Sequence, residues 1–190
     1  MHILKSNYFI CTSALIAGYG LHFFNEKVME LSRQNLGISA DFFEGLKEED
    51  YRQKHIDALA QKAPKYLSRN TYLRQEAASQ CLKELFVLLV EEIGFRYYLQ
   101  KRLLPSLLNR VAPKFAKPLA ISISTVCFSA SHLWNKNFSS QAQKNELLIN
   151  TLLLGFFASL SSLKGGLQSS IALHIGFNAR SWKLTYYDCI

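Results

Sequence analysis

The sequence predicts an all-α protein, a multi-helix integral membrane bundle with a charged amphipathic helical segment after its first helix. Three observations predict this class. Hydrophobic residues make up 49% of the 190 residues, and they gather into stretches near the length of about 20 residues that a spanning helix needs. Polar groups inside these stretches recur at helical spacing. The mean hydropathy is nevertheless only +0.02, so the apolar character is local.

The charge pattern indicates which partners to expect. The net charge is +8, but the basic residues are dispersed among acidic ones and do not form a nucleic-acid recognition helix or groove. We therefore expect membrane lipid, and no nucleic acid, as a partner. The four cysteines form no C-x-x-C pair, so they predict neither a disulfide framework nor a zinc ribbon.

The first predicted element is an N-terminal membrane anchor helix in residues 1–25. Ser6 to Asn25 contains no Asp, Glu, Lys or Arg and follows Lys5, and this length is enough to span a bilayer. A cleavable signal peptide is the alternative, because the flank is basic and residues 14–20 are rich in small side chains. The long apolar run and the lack of a clear A-x-A site favour an uncleaved anchor.

Residues 26–80 form the second predicted region, which is charged, amphipathic and helical. Apolar residues recur at helical intervals between charges of both signs. Asp41 and Glu44 are spaced like a capping box and predict a helix start near residue 41, while Pro64 predicts a break. We expect this region to lie on the membrane or in the water beside it.

Residues 81–182 form the predicted helical core that carries the functional motifs. Its apolar stretches cover about 83–104, 118–135, 146–163 and 166–180. Gly165-Gly166 separates the last two stretches and predicts a break between helices. The short connections predict an antiparallel bundle.

The connection between the first two of these stretches is basic. It contains no acidic residue and carries Lys101, Arg102, Arg110, Lys114 and Lys117. By the positive-inside rule, this loop should face the cytoplasm. The alternative is an ordinary solvated loop of a soluble protein.

Three polar motifs interrupt the apolar stretches. They are Glu91-Glu92-Ile-Gly-Phe-Arg96, Phe128-Ser-Ala-Ser-His132 and His174-Ile-Gly-Phe-Asn178. An ionisable group at membrane depth costs on the order of 2.5–3.5 kcal/mol on insertion scales, so such groups normally face inward and carry function. The candidate catalytic residues are therefore Glu91, Glu92, Arg96, His132, His174 and Asn178. Taken singly, each motif is more often structural, as a solvated helix face or a core histidine.

The spacing within the motifs suggests roles. Glu92 and Arg96 can pair on one helix face, whereas Glu91 projects about 100° away and is left to act as a general base toward water. His174 and Asn178 can together hydrogen-bond the oxygen of a tetrahedral intermediate. Alternatively, two imidazoles and a carboxylate can make a His-His-Glu metal site. The spacing leaves both alternatives open.

The three motifs together resemble those of the CAAX protease and bacteriocin-processing family of intramembrane proteases, also called CPBP or type II CAAX endopeptidases. That family carries E-E-x-x-x-R, F-x-x-x-H, and H-x-x-x-N or H-x-x-x-D in this order on separate membrane helices. All three are complete here, and the resemblance covers about residues 80–180. It implies an integral, multi-pass membrane location and a peptide or protein substrate.

The resemblance also implies a role for each candidate residue. Glu91 would activate the hydrolytic water, with Glu92 and Arg96 holding it and His132 completing the water site. His174 and Asn178 would stabilise the oxyanion. The implied reaction is hydrolysis of a peptide bond in or beside the bilayer, at a prenylated (CAAX) C-terminus or a leader peptide. Family descriptions as metalloproteases also allow a divalent metal such as zinc, which the sequence does not establish.

Two other function classes compete with a protease. The first is a non-catalytic membrane scaffold or bacteriocin self-immunity protein that keeps the family frame and works through binding. The second is a soluble helical interaction domain whose apolar helices bury one another. Recovery of the protein without detergent would favour the second of these.

Overall fold

The computed structural model describes residues 2–35, 57–58, 60–134 and 141–182, and these residues form helices and turns. The helices are α1 (His2–Asn35), α2 (Arg69–Glu92), α3 (Leu104–Val111), α4 (Ala116–Trp134) and α5 (Gln141–Trp182). A π-helical segment, Ile93–Leu103, joins α2 to α3, and a 3-10 turn, Pro113–Phe115, joins α3 to α4. The all-α prediction is confirmed for the described residues.

The charged region before the core is described only in part. The capping box predicted at Asp41 and Glu44 lies outside the described residues. Pro64 lies in the turn before α2, where its carbonyl accepts a hydrogen bond from the N–H of Leu67 at 2.9 Å. Ser68 then caps α2, because its hydroxyl accepts from the N–H of Thr71 at 3.3 Å and so satisfies a donor that the helix start leaves open. The division into regions 1–25, 26–80 and 81–182 stays a prediction.

α2, the π-helical segment and α3 form one continuous helix, which carries the first motif and part of the basic connection. The backbone angles are helical at the junctions, Ile93 and Leu104, and the N–H of Leu104 bonds to the carbonyl of Leu99, five residues earlier. Pro105 near the start of α3 cannot donate to the carbonyl four residues earlier. The π-helical segment ends at Leu103, before this proline, and proline is tolerated in the first turn of an α-helix. The segment predicted as a basic loop is therefore mostly helical.

α5 is the helix that packs against the rest of the bundle. It lies along α1 and α4 and also contacts α2 and the π-helical segment. Gly166 interrupts it with φ 69° and ψ −168°, a conformation that is essentially restricted to glycine. The predicted break at Gly165-Gly166 is confirmed.

α1 and α5 come into close backbone contact through two glycines. A Cβ added to Gly18 would overlap the carbonyl of Leu173, and one added to Gly176 would overlap the carbonyl of Leu15. Small residues are the usual way for helices to pack in lipid, where burying apolar surface supplies little driving force between them. Since Gly176 lies between His174 and Asn178, this contact holds the segment of α5 that carries the third motif.

The outer surface of α2 is apolar. Leu82, Phe86, Val90 and Ile93 follow one another at helical spacing and are each about half exposed or more, whereas Glu92 on the same helix is fully buried. Charge inside and apolar side chains outside reverse the usual pattern of a soluble protein and fit contact with lipid.

One described stretch, Lys144–Ala179 (36 residues), is long and apolar enough to cross a membrane by length and composition, and the apolar stretch Phe9–Phe24 is shorter. The multi-pass arrangement therefore stays a prediction.

Candidate active site

Five of the six predicted residues lie where α2, α4 and α5 meet, and four of these form two acid–imidazole pairs. Glu91 Oε1 lies 3.6 Å from His132 Nε2, and Glu92 Oε1 lies 3.0 Å from His174 Nδ1. Consecutive residues of a helix project in different directions, so Glu91 faces α4 while Glu92 faces α5. The structure thus brings together residues from all three motifs.

A buried ion pair supports the inner pair. Arg96 Nε lies 3.5 Å from Glu92 Oε2, and both side chains are fully buried, as the spacing of four residues predicts. Arg96 Nη1 also donates to the hydroxyl of Ser124 at 3.2 Å, and that hydroxyl donates to the carbonyl of Phe95 at 2.9 Å. A buried charge needs an opposite charge and hydrogen bonds. Arg96 has the ion pair and the bond from Nη1, while its Nε and Nη2 have no hydrogen-bond partner among the described residues.

Phe128 occupies the space between the two pairs. Its fully buried ring lies 4.6 Å from the ring of His132 and 5.8 Å from that of His174, between centroids. The guanidinium carbon of Arg96 lies 4.7 Å from the same ring centroid, within the range of a cation–π contact. Phe128 therefore packs, as its spacing from His132 predicts, and it sets the distance between the two pairs.

The hydrogen bonds of the imidazoles determine which nitrogen is available at each ring. His132 Nδ1 lies 2.9 Å from the carbonyl oxygen of Phe128. A carbonyl can only accept, so Nδ1 carries the proton, and Nε2 of the neutral ring is an acceptor directed at Glu91. His174 Nδ1 donates to the Glu92 carboxylate, which leaves its Nε2 for another group.

The two pairs differ in their access to solvent. The side chains of Glu91 and His132 are 22% and 19% exposed, whereas those of Glu92 and His174 are 0% and 3% exposed. The outer pair can therefore reach water and a bound peptide. The inner pair is dry, so its electrostatic interactions are stronger than they would be in water.

Asn178 is the predicted site residue that the structure does not join to the others. It lies one helical turn after His174 on α5 and is half-buried. Within the part of the chain that the structure describes, no hydrogen bond connects its amide to the other five residues. Its neighbour Phe177 packs against the ring of His22 on α1, with ring centroids 4.8 Å apart. A role for Asn178 in oxyanion stabilisation stays a prediction.

The donor set does not fit a three-ligand metal site in its present arrangement. The carboxylates and imidazoles are arranged as two separate pairs, and His132 Nδ1 is occupied by a carbonyl. Among the described residues, no three His, Cys, Asp or Glu side chains come together as metal ligands. The His-His-Glu metal site that the sequence left open stays a prediction.

Ser124 is a residue of the site that the sequence analysis did not select. It is completely buried and links α4 to Arg96 and Phe95 through its hydroxyl. The spacing of Ser124, Phe128 and His132 is the signal that could have found it, since residues four apart share a helix face.

The sequence of the chain is similar to one known protein family. The family model for type II CAAX prenyl endopeptidase Rce1-like matches residues 81–180. The match covers more than half of the 190 residues and includes all three motifs. No curated protein and no solved structure matches the chain.

Proposed function

The chain belongs to the Rce1-like family of type II CAAX prenyl endopeptidases, and we propose that it is an intramembrane endopeptidase in which Glu91 activates the water that hydrolyses a peptide bond. The family consists of membrane-associated CAAX-type proteases. The observation that carries the proposal is the partly exposed Glu91–His132 pair beside the buried Glu92–His174 pair.

The outer pair has the arrangement needed to hold a water molecule. At 3.6 Å, Glu91 Oε1 and His132 Nε2 are too far apart for a good direct hydrogen bond, and both are acceptors when the carboxylate is ionised and the ring is neutral. One water can donate a proton to each of them, which turns its lone pairs toward a substrate carbonyl. Glu91 then takes a proton as the water attacks, the task of a general base. It passes this proton to the amide nitrogen as the C–N bond breaks and the amine leaves.

The inner pair is proposed to stabilise the charge that develops on the carbonyl oxygen. Glu92 accepts from His174 Nδ1 and fixes the orientation of the ring; when Nε2 also carries a proton, it can donate to an oxyanion. Arg96 holds Glu92 in place through the buried ion pair. Asn178, one turn further along α5, is proposed as the second donor.

The substrate is proposed from family membership to be a peptide at the membrane, with a prenylated C-terminus or a leader peptide as the two candidates. The apolar outer faces of α2 and α5 would let a lipid-anchored peptide approach the site from within the bilayer. The site geometry does not favour either candidate.

The test is cleavage of fluorogenic prenylated and leader-bearing peptides by the purified full chain in proteoliposomes. Glu91→Gln keeps the shape of the side chain but removes the base, and we expect kcat to fall by at least about 100-fold. The kcat of the His174→Ala variant should be about 100- to 1,000-fold lower than that of wild type, since the substitution removes an oxyanion donor. Glu84→Gln is the matched control, because Glu84 is exposed on the same helix, two turns before the motif. We expect this variant to cleave the peptides like wild type.

Equal cleavage by wild type, Glu91→Gln and His174→Ala would contradict the proposal. If wild type cleaves neither peptide class and the Glu91→Gln chain supports the same cellular phenotype, the non-catalytic scaffold or self-immunity function is favoured instead.

The proposed reaction routes no step through a metal, because the donors are arranged in two pairs. We therefore expect cleavage to be unchanged after incubation with EDTA followed by removal of the chelator. Loss of activity that zinc restores would show that substrate binding assembles a ligand set from these residues, and it would contradict the mechanism proposed above.

A further inference from the structure

We propose that a cavity next to Arg96 binds the phosphate headgroup of an anionic phospholipid. The cavity has a volume of about 300 Å³ and lies between the π-helical segment, α3, α4 and the bend of α5. Its lining includes Arg96 but none of Glu91, Glu92, His132 or His174. It is therefore separate from the two acid–imidazole pairs.

The lining of this cavity is cationic. Arg96, Lys101 and Lys117 all line it, and no acidic residue does. Lys101 and Lys117 are exposed, whereas Arg96 is 1% exposed, so the positive charge extends from the mouth to the buried floor. Guanidinium and ammonium groups are the side chains that proteins use to bind phosphate.

Two buried polar atoms at the floor are left without partners. Arg96 Nη2 and Gln100 Oε1 are both buried and have no hydrogen-bond partner within the described residues. The amide nitrogen of Gln100 is held by the carbonyl of Ser159 at 3.2 Å and the hydroxyl of Ser162 at 3.3 Å. A buried guanidinium nitrogen without an acceptor is costly, and a phosphate oxygen would supply one. A hydroxyl of a glycerol headgroup would supply a donor to Gln100 Oε1.

The remaining walls distinguish a lipid from a free anion. Ala120, Ile121, Leu163 and Leu167 line the cavity, and Leu163 is more than half exposed. A cationic end next to apolar walls matches a headgroup that continues into acyl chains. The chain belongs to a membrane-associated family, so such lipids are present around it.

The test is lipid binding to the purified full chain in detergent, followed by native mass spectrometry with phosphatidylglycerol, phosphatidylcholine and inorganic phosphate. The Lys101→Ala/Lys117→Ala variant removes two charges from the cavity. The Arg110→Ala/Lys114→Ala variant removes two charges from the same part of the chain but outside the cavity lining, and it is the matched control. We expect the cavity variant to bind phosphatidylglycerol at least about tenfold more weakly and the control to bind like wild type.

A conservative variant keeps the test independent of folding. Lys101→Arg/Lys117→Arg retains both charges and should restore binding of phosphatidylglycerol. If the cavity variant and the control lose binding of phosphatidylglycerol equally, the lipid is attracted to the basic surface in general, and the proposal is overturned. Equal binding of phosphatidylcholine, or retention of inorganic phosphate in place of the lipid, would also overturn it. The measurement is binding alone, so its outcome does not depend on peptidase activity.

Discussion

At the scale of single residues, the hydroxyl of Ser124 has two tasks. It accepts a hydrogen bond from Arg96 Nη1 and donates one to the carbonyl of Phe95, both in a fully buried setting. Since Arg96 in turn pairs with Glu92, Ser124 acts on the site through Arg96. In the proposed reaction, its role would be to position Arg96 and not to touch the reacting atoms.

We expect Ser124→Ala to lower the free energy of unfolding by about 1–3 kcal/mol, because it leaves a buried guanidinium nitrogen and a buried carbonyl without their partner. Ser129→Ala is the matched control on the same helix. Ser129 is also buried, but its hydroxyl has no hydrogen-bond partner among the described residues, so its removal should change stability little. Chemical denaturation in detergent measures both, and equal effects would contradict the role given to Ser124.

Among the contacts of single residues, some could be predicted from the sequence and others could not. The Glu92–Arg96 pair follows from the helical period alone, since residues four apart share a face. The pairing of Glu91 with His132 and of Glu92 with His174 depends on how three helices are oriented, which no local pattern encodes. The motifs predicted that these residues form one site, but not which acid would face which imidazole.

At the scale of helices, contact between α1 and α5 depends on the absence of side chains at two positions. We expect Gly18→Ala to destabilise the protein by about 1–3 kcal/mol, since a methyl group cannot fit against the backbone of Leu173 without displacing a helix. Gly20→Ala is the control on the same helix, where an added Cβ meets nothing within 4 Å. It should be neutral or slightly stabilising, because alanine favours helix more than glycine.

Thermal unfolding of the two variants in detergent tests this prediction. Since Gly176 packs against the same helix next to His174, Gly18→Ala should also reduce cleavage of a peptide substrate, while Gly20→Ala should not. Equal stability of the two variants would show that α1 does not pack tightly on α5.

The helical connection between the first two motifs is the element that the sequence did not predict. Spacing of apolar and polar residues distinguishes a helix from a strand, but it does not distinguish a π register from an α register over eleven residues. The basic residues between the two apolar stretches, with no acidic residue among them, indicated a loop that faces the cytoplasm. Here the connection is mostly helical instead, whereas Gly166, which the sequence predicted as a break, interrupts α5 as expected.

At the scale of the whole molecule, the distribution of charge and apolar surface leads to a testable orientation. α4 has 19 residues and would be about 28 Å long at 1.5 Å per residue, close to the thickness of the hydrocarbon core of a bilayer, about 30 Å. Lys114 lies just before its start, and exposed Trp134 lies at its end, where aromatic residues are common at the membrane surface. If α4 spans, these two positions lie on opposite sides.

We expect the Lys114 end of α4 to face the cytoplasm, because positive loops stay on that side and because the anionic lipids proposed to bind next to Arg96 are concentrated in that leaflet. In a chain whose four cysteines are replaced by serine, a membrane-impermeant maleimide added to intact cells should label Trp134→Cys and not Lys114→Cys, and inverted vesicles should give the reverse. Labelling of both from one side would show that α4 does not span the membrane.

The result also separates the two substrate classes, since His132 lies near the Trp134 end. The expected orientation favours leader peptides that have left the cytoplasm, whereas the opposite orientation would favour prenylated C-termini, which are made inside it.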